Sequence, residues 1–519
     1  MATKPPESTD YSFFILFRIL FGVCLAESAA QDLFSSYWRQ TLLWPKFHFH
    51  YAGFGWVQPL PEPYLLAGYI LFILSCLLFS AGLFQRATSA FNLLFYSYTV
   101  LLEKAVYNNH YYLIAILCFF FCLLPVENPA RGEKPSGPGW FLDLFRYQFA
   151  IVYFFAGVAK WNRDWLLGEP LGQWLHPISE SYRLPLLMDP YVVSFMAISG
   201  LLLDLLVGPA LLYQRTRYPA MLLLIAFHCS NEAMFEIGVF PAMMVASCLL
   251  FLGPPPVPRL AWKSPAARFA ALFLLVQCLL PLRHFAIPGM SAWTDDGHRY
   301  AWRMKLRSKR PMLKSLLIDA KPVDPRRYLT PGQIQRMSSR PDMIVEFVDY
   351  LKREEGVDSV RMLITARLNG RPEQTFVHPG VELTKVEFSA FSPTDWVEPL
   401  EQPYLEKSAK YSYRVVLGFL YALATVQLVL SLLQGRKKRD WKSVSVWGGA
   451  GAVFMLGSYY LFSHLSPALL ATGWLLVAGL WGWGLSRKTE WFHSTLLVGQ
   501  TVLLLLFSSI LYLYPTLTL

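Results

Sequence analysis

The stretch 190–213, PYVVSFMAISGLLLDLLVGPALLY, decides the fold class because only one of its residues, Asp204, is charged. A run of about 20 apolar residues is the length of helix that crosses a bilayer core. Comparable runs recur along the 519-residue chain, in which 54% of the residues are hydrophobic and 16% are charged. This composition excludes a single soluble domain and predicts an all-α polytopic membrane protein.

About thirteen segments have the length and hydropathy of membrane-spanning helices. They are 12–30, 64–84, 88–107, 110–126, 141–160, 190–213, 218–235, 237–253, 266–285, 411–433, 443–463, 467–485 and 492–515. Two pairs of segments are closely joined, one near 107–110 and one near 235–237. Each pair is either two full crossings or a re-entrant hairpin.

The spacing of these segments predicts three domains. They are a membrane domain of about nine helices at 1–285, a small α+β extramembrane cap at 286–410, and a C-terminal four-helix membrane extension at 411–519. In the cap, Thr330 before Pro331 predicts the start of a helix over 331–353, which Pro341 interrupts. Alternation over 360–368, closed by Asn369-Gly370, predicts a strand that ends in a tight turn, with a second strand at 374–378.

The net charge of +11 comes from Lys and Arg residues spread over many loops, which indicates membrane orientation rather than nucleic-acid binding. Lys and Arg near helix ends are retained on the cytoplasmic side. The basic cluster at 436–442 and five other basic loops share one side if every segment spans. The amino terminus is then cytoplasmic, and the cap is extracytoplasmic.

All seven cysteines lie in apolar segments, where they cannot link parts of the cap, and none has the spacing of a zinc site. Without disulfides or an ER-retention signal, the chain is expected in a bacterial inner membrane rather than in the endoplasmic reticulum. His48-Phe49-His50 places two imidazoles on one face of an extended segment, but no third ligand is nearby. No metal is therefore expected.

Ionisable side chains in apolar helices are costly, so each is a functional-site hypothesis. In the predicted orientation His110, Lys160 and His284 all lie at helix ends on the side of the cap. Lys160 has two interpretations of equal weight: its ammonium reaches the headgroups, or desolvation favours the free amine, a base near neutral pH. His110 is either a reactive imidazole or part of an interfacial hydrogen-bonding turn. The pair Glu103-Lys104 is interpreted as a structural ion pair.

An ordered series of segments resembles one family. Its members are 107–113, 148–160 with Asp164-Trp165, 202–205, 227–229, 235–240, 280–285, 300–302, 329–332 and 391–400. Together they resemble the vitamin K-dependent gamma-glutamyl carboxylases, whose membrane part is the horizontally transferred transmembrane (HTTM) domain. The resemblance covers roughly 10–402 and is typical of a bacterial-type homologue.

The resemblance implies a reaction and a set of site residues. In that family an amine deprotonates vitamin K hydroquinone, O2 adds, and the base so formed removes a γ-proton from a glutamyl residue, which then takes up CO2. Lys160 is then the hydroquinone base, and His110 is a second catalytic residue. The residues expected to bind quinol or substrate are Asn108, Asn109, His228, His284, Trp302, Trp396, Val397, Pro399 and Leu400.

The expected partners are the lipid bilayer, a lipophilic quinol and a glutamate-containing protein or peptide. Two departures from the animal carboxylases leave alternatives open. Four apolar segments replace their large β-rich region, and their lysine doublet is Ala159-Lys160 here. The chain is therefore a carboxylase, or a quinol epoxidase without protein carboxylation, or a noncatalytic transporter or scaffold that reuses the domain.

Overall fold

The structure is a computed structural model that describes residues 9–123, 136–235, 237–253, 264–401, 410–416, 418–420 and 422. It is mostly helical. The α-helices are α1 (Ser12–Phe34), α2 (Tyr37–Leu42), α3 (Glu62–Ser80), α4 (Gln85–Leu102), α5 (Asn109–Cys122), α6 (Gly139–Lys160), α7 (Arg163–Leu166), α8 (Leu171–Ser181), α9 (Pro190–Leu212), α10 (Arg217–Phe235), α11 (Phe240–Ser247), α12 (Pro265–Leu279), α13 (Ser291–Thr294), α14 (Pro331–Met337) and α15 (Pro341–Glu355).

Nine of the predicted segments precede the cap, and the described residues of each are mostly helical. Among the described residues, five helices are long and apolar enough to cross a membrane: Ser12–Phe34, Glu62–Ser80, Gly139–Lys160, Pro190–Leu212 and Pro265–Phe285. Asn109–Cys122 and Phe240–Phe251 are apolar but shorter. Most of the segment 411–433 and all of 443–463, 467–485 and 492–515 lie outside the described residues, so the count of about thirteen remains a prediction.

The chain divides into two compact units. One comprises 1–159 with 203–403, and the other comprises 160–202 with the described residues that follow 404. The first unit contains most of the described apolar helices and the cap. The domain boundaries drawn from the sequence, at 285 and 410, remain predictions.

Aromatic packing holds the helices of the first unit together. Phe121 of α5 lies between Phe17 and Phe21 of α1, with ring centroids 6.1 and 5.1 Å away, and 5.1 Å from Phe145 of α6. Between α6 and α9 a small residue permits close approach, because a Cβ on Gly157 would lie 2.6 Å from the backbone nitrogen of Leu205. This packing fixes α6, the helix that ends at Lys160, against its neighbours.

The strands are β1 (Thr9–Asp10), β2 (Ser136–Gly137), β3 (Lys309–Ile318), β4 (Lys321–Pro322), β5 (Val360–Leu368) and β6 (Gln374–Val377). The cap contains an antiparallel sheet in the order β4-β3-β5-β6. The predicted strands at 360–368 and 374–378 are confirmed. The helix predicted over 331–353 is interrupted before Pro341 as expected, and Pro341 begins a separate helix, α15. Asn369 and Gly370 both have positive φ, +48° and +79°, as the tight turn requires.

The longest strand, β3, was not predicted. Its outward positions carry Lys and Arg, and Pro311 interrupts its pattern. Pro311 pairs with Ala366 on one side, while β4 reaches only Leu317 and Ile318 on the other, so the missing N–H falls where β3 is an edge.

An ionic network joins the cap to the membrane helices within the first unit. Lys104, in the break between α4 and α5, places its Nζ 2.9 Å from Asp342 Oδ2 and 2.6 Å from Glu346 Oε2. Arg299 donates two hydrogen bonds to the carboxylate of Asp342, at 2.8 and 3.3 Å. Asp342 therefore lies between two cations. Lys104, Arg299, Asp342 and Glu346 form the Asp342 network.

The interpretation of Glu103 and Lys104 as partners of each other was wrong. Glu103 Oε2 accepts a hydrogen bond from Nε2 of Gln333, and its Oε1 accepts one from the N–H of Ala105. The two side chains are neighbours in sequence but have different partners. Glu103 bonds Gln333 and Ala105, whereas Lys104 pairs with the two carboxylates of the cap. Both have structural contacts, as expected.

We expect Asp342→Asn to lower the free energy of unfolding by about 3 to 5 kcal/mol, because it leaves two buried cations without their shared counter-ion. The measurement is the thermal unfolding midpoint of the detergent-purified protein. Asp324→Asn is the control, since Asp324 pairs with Arg326 at the surface and its loss should leave the midpoint unchanged. Equal midpoints for the two variants would contradict the prediction.

The same network predicts a pH dependence. Burial raises the pKa of Asp342, but Arg299 and Lys104 outweigh burial and lower it to about 2. Because the folded pKa is below the unfolded value, this carboxylate stabilises the fold above about pH 4. That stabilisation is lost as the pH falls toward 2. The difference in midpoint between wild type and Asp342→Asn should therefore shrink in acid.

Candidate active site

The start of α5 carries the first group of expected site residues. Asn108 is the N-cap of α5, and its side chain accepts a hydrogen bond from the N–H of Tyr111 at 2.9 Å. His110, two residues later, lies face to face with Phe240 of α11, with ring centroids 3.6 Å apart and planes 10° apart. The side chain of Asn108 thus orients the first turn of α5, and the contact with Phe240 fixes the plane of the His110 imidazole.

Asn109 links this turn to the chain that enters the cap. Its Oδ1 accepts a hydrogen bond from the hydroxyl of Tyr107, and its Nδ2 donates to the carbonyl of Arg303 at 3.3 Å. The hydroxyl of Tyr107 in turn accepts a hydrogen bond from the N–H of Tyr300 at 2.7 Å. The buried amide therefore positions the segment 299–305 beside His110.

That segment is strained. Tyr300, Trp302 and Lys305 all have positive φ, +63°, +53° and +49°, although none is glycine. Trp302 is fully buried, with 0% of its surface exposed, and stacks on Tyr112 of α5 with ring centroids 5.2 Å apart. Strained backbone of this kind persists where surrounding contacts enforce it, often at functional sites.

His284 also lies in the first unit. It is buried near the end of a 3-10 turn, Leu280–Phe285, and its Nδ1 is 2.7 Å from the carbonyl of Pro281. Gly297 has φ +67°, and a Cβ there would be 2.7 Å from Cα of His284. Glycine at 297 therefore allows the cap segment to pass directly over the histidine.

His228 is held from within the helix bundle. Its Nε2 lies 2.8 Å from the hydroxyl of Tyr153 on α6, and both side chains are buried. The hydrogen bond fixes the ring of His228.

The segment 396–400 continues the edge of the cap sheet. The N–H of Glu398 donates to the carbonyl of Phe376 in β6 at 3.0 Å. The side chain of Val397 is buried in the cap core, and Leu400 and Trp396 pack against that core. Pro399 is exposed, as is Glu398. Of the four residues expected here, Pro399 presents the most accessible side chain, whereas Val397 supports the segment from below.

Lys160 belongs to the other unit. Only 6% of its surface is exposed, and its Nζ lies 5.2 Å from the ring centroid of Trp165. The indole of Trp165 donates to the carbonyl of Ala197 at 2.8 Å, which fixes the ring. An ammonium that reached the headgroups would be exposed. The burial of Lys160 therefore argues against that interpretation, and its role as a base stays a prediction.

In the structure Asn108, Asn109, His110 and Trp302 all lie at or beside the start of α5. Asn109 bonds the backbone of the segment 299–305, and Trp302 of that segment stacks on Tyr112. Four basic side chains accompany them that were not predicted as site residues: Arg299, Arg303, Lys305 and Arg307. One signal was available: basic residues are dense over 299–310, directly after the last predicted helix of the membrane domain.

No group of three His, Cys, Asp or Glu side chains that could hold a metal occurs among the residues that the structure describes. His48 and His50 face carboxylates instead. Nδ1 of His48 is 3.4 Å from Glu103 Oε2, and Nδ1 of His50 is 3.8 Å from Glu346 Oε1.

Two family profiles match the chain. The profile of the HTTM domain matches residues 7–255. The profile of the vitamin K-dependent gamma-carboxylase, lumenal domain, matches residues 262–403. No solved structure matches the chain.

Apolar helices followed by a mixed cap that is bound to their ends define a multi-pass membrane protein. The order of the two profiles is more specific, since one corresponds to the helices and the other to the cap. The chain belongs to the vitamin K-dependent gamma-carboxylase family, as the ordered segments predicted. Whether it is of the bacterial type remains a prediction.

We expect Gly297→Ala to destabilise the protein by about 1 to 3 kcal/mol, because a side chain is disfavoured at positive φ and would overlap His284. Thermal unfolding of the purified protein measures this. Gly332→Ala is the matched control, since a Cβ there has no atom within 4 Å and the residue has no positive φ. A midpoint equal to that of the control would show that the close approach is unimportant.

We expect Tyr153→Phe to cost about 1 kcal/mol of stability, because it leaves a buried nitrogen of His228 without its hydrogen-bond partner. Tyr64→Phe serves as the control, since 66% of Tyr64 is exposed. The readout is again the unfolding midpoint, and no difference between the variants would contradict a role for this bond.

Proposed function

We propose that this protein oxidises vitamin K hydroquinone to the 2,3-epoxide with O2 and uses the base so generated to carboxylate glutamyl residues with CO2. Membership of the carboxylase family supports a vitamin K-dependent gamma-carboxylase-like function. The observation that carries the proposal is the burial of Lys160 against Trp165 at the end of α6.

Lys160 has the surroundings of a base. An amine accepts a proton only in its uncharged form, and the amine of Lys160 is buried beside Trp165. In the proposed reaction its amine accepts the phenolic proton of the hydroquinone. Trp165 limits access of water to the amine, and this allows the proton to come from a lipophilic donor.

His110 and Asn109 are proposed to line the place where the γ-proton is removed and CO2 is taken up. Phe240 covers one face of the His110 imidazole, and the first turn of α5 determines where the edge of the ring points. The family resemblance assigns the same neighbourhood to both residues. His228, His284 and Trp302 are proposed to bind the quinol or the substrate.

The cap is proposed to admit the glutamate-containing peptide. The segment 396–400 borders β6 and presents Pro399 and Glu398 outward. A chain lying along such an edge is recognised through its backbone as well as its side chains. We further propose that the amino terminus is cytoplasmic, that the cap is extracytoplasmic and that the membrane is a bacterial inner membrane.

The test is epoxide formation from vitamin K hydroquinone by detergent-purified protein, with a glutamate-containing peptide and labelled bicarbonate. We expect Lys160→Ala to lower epoxide formation by at least about 100-fold, because general-base catalysis contributes that much or more. Lys321→Ala, at an exposed position of β4, is the control and should retain the wild-type rate.

Each result has a separate meaning. Label in the peptide establishes carboxylation, whereas epoxide without label restricts the proposal to quinol epoxidation. Equal epoxide formation by the two lysine variants would exclude Lys160 as the base. No epoxide from folded wild-type protein would overturn the enzyme proposal.

A further inference from the structure

Two buried arginines lie at the ends of the membrane helices that are remote from the cap. Arg146 is in the first half of α6 with 1% of its surface exposed, and Arg217 begins α10 with 4% exposed. The last residue of α10 is Phe235, whose ring centroid lies 4.6 Å from Nζ of Lys305 in the segment that enters the cap. Since α10 has 19 residues, it is about 28 Å long, so Arg217 lies roughly the thickness of a bilayer core away from that segment.

Both guanidinium groups reach the same turn of the chain, at the end of α11 and of the 3-10 turn Cys248–Phe251 that continues it. Nε of Arg146 donates to the carbonyl of Leu250 at 2.7 Å, and Nη1 of Arg217 donates to the carbonyl of Gly253 at 2.8 Å. Nη2 of Arg146 also lies against Gly253, 3.0 Å from the position that a Cβ would take there. The two arginines therefore meet at Gly253, and together they form the Gly253 arginine pair.

The contacts of this pair leave both charge and hydrogen-bond donors in surplus. Within the described part of the chain, Asp143 is the one carboxylate in ion-pair contact with either group, 3.1 Å from Nη1 of Arg146. In the same part of the chain Nη2 of Arg146, and both Nε and Nη2 of Arg217, are buried and make no hydrogen bond. The positive end of the α10 dipole lies at Arg217 and adds to the surplus. Buried cations of this kind are costly unless an anion completes their contacts.

The surroundings of the pair are those of a lipid headgroup. Tyr213 and Tyr218, on either side of Arg217, are both exposed, and tyrosine is enriched at the interface between membrane and water. One turn further along α10, Leu222 and Leu223 are also exposed and belong to its outer face. In the proposed orientation this is the cytoplasmic end of the helices, where basic pockets between membrane helices bind anionic headgroups.

We propose that the Gly253 arginine pair binds the phosphate of an anionic phospholipid, whose acyl chains lie along the exposed face of α10. A phosphodiester carries one negative charge, which matches the surplus, and its two free oxygens accept the parallel hydrogen bonds of a guanidinium. A zwitterionic phospholipid adds a cation together with its phosphate, so it brings no net charge to the site. His110 contacts Phe240 at the opposite end of α11, so occupancy of this site does not depend on the proposed reaction.

The experiment measures lipid binding by native mass spectrometry of the full chain, purified in detergent and freed of lipid. Phosphatidylglycerol and phosphatidylcholine with identical acyl chains are titrated separately, and the concentrations at half occupancy of the first bound lipid are compared. We expect phosphatidylglycerol to bind about tenfold more tightly, as for a hydrogen bond between charged groups. Wild-type protein that binds the two lipids equally would overturn the proposal.

Arg217→Met should abolish the preference for phosphatidylglycerol while leaving the binding of phosphatidylcholine within about twofold, since only the charged contact is lost. Arg215→Met is the matched control, because Arg215 is an exposed arginine of the same loop, and the preference should persist in it. If Arg217→Met does not fold, Arg217→Lys decides the matter, since it keeps the charge but loses the fork of donors and should reduce the preference. An undiminished preference in the folded variant of Arg217 would contradict the assignment.

A free anion is the other source of the same chemistry, and a further arm separates it from a lipid. Inorganic phosphate is added in excess to the titration of wild-type protein with phosphatidylglycerol. We expect it to change the half-occupancy concentration by less than about twofold, because phosphate lacks the acyl chains that add apolar contact along α10. Displacement of the first bound phosphatidylglycerol by phosphate would identify a site for a free anion and overturn the lipid proposal.

Discussion

The carboxylate of Asp342, shared between Lys104 and Arg299, is the contact on which the arrangement of the first unit depends. Lys104 is in the break between two helices, Arg299 is in the segment that leaves the last of them, and Asp342 begins the principal helix of the cap. One buried anion therefore connects three parts of the chain that are far apart in sequence. An ion pair in this setting is costly to form and more costly to break, so it specifies a position for the cap more than it adds to net stability.

Much of the helical part was predictable, because a helix that crosses a bilayer must satisfy its backbone internally and needs about 20 apolar residues to do so. Pro341 marked the boundary between two cap helices for a similarly local reason. β3 was missed because Pro311 and the outward Lys and Arg side chains conceal its alternation, and only the sheet shows that Pro311 is at an edge. Local signals predict local structure, and pairing across the cap is not local.

The site residues divide in the same way, into those that local signals predict and those that only the tertiary structure shows. His110 and Lys160 stood out because polar residues in apolar helices are rare. The arginines did not, because Arg303 and Arg340 are distant in sequence and only the fold places both near Asp295. Glu103 and Lys104 show the opposite error, since neighbours in sequence were taken as partners and each contacts the cap separately. The sequence shows where charged residues occur, but the partner of each charge depends on the tertiary structure.

The break between α4 and α5 has a mechanical consequence. Lys104 binds the cap, and His110 is only six residues further along, beyond one 3-10 turn and the capping residue Asn108. There is no flexible linker between the two residues, since Ala105, Tyr107 and Asn108 are each hydrogen-bonded. A displacement of the cap at Lys104 would therefore also move the first turn of α5, which carries the imidazole. The position of the cap and the orientation of His110 are connected through only six residues.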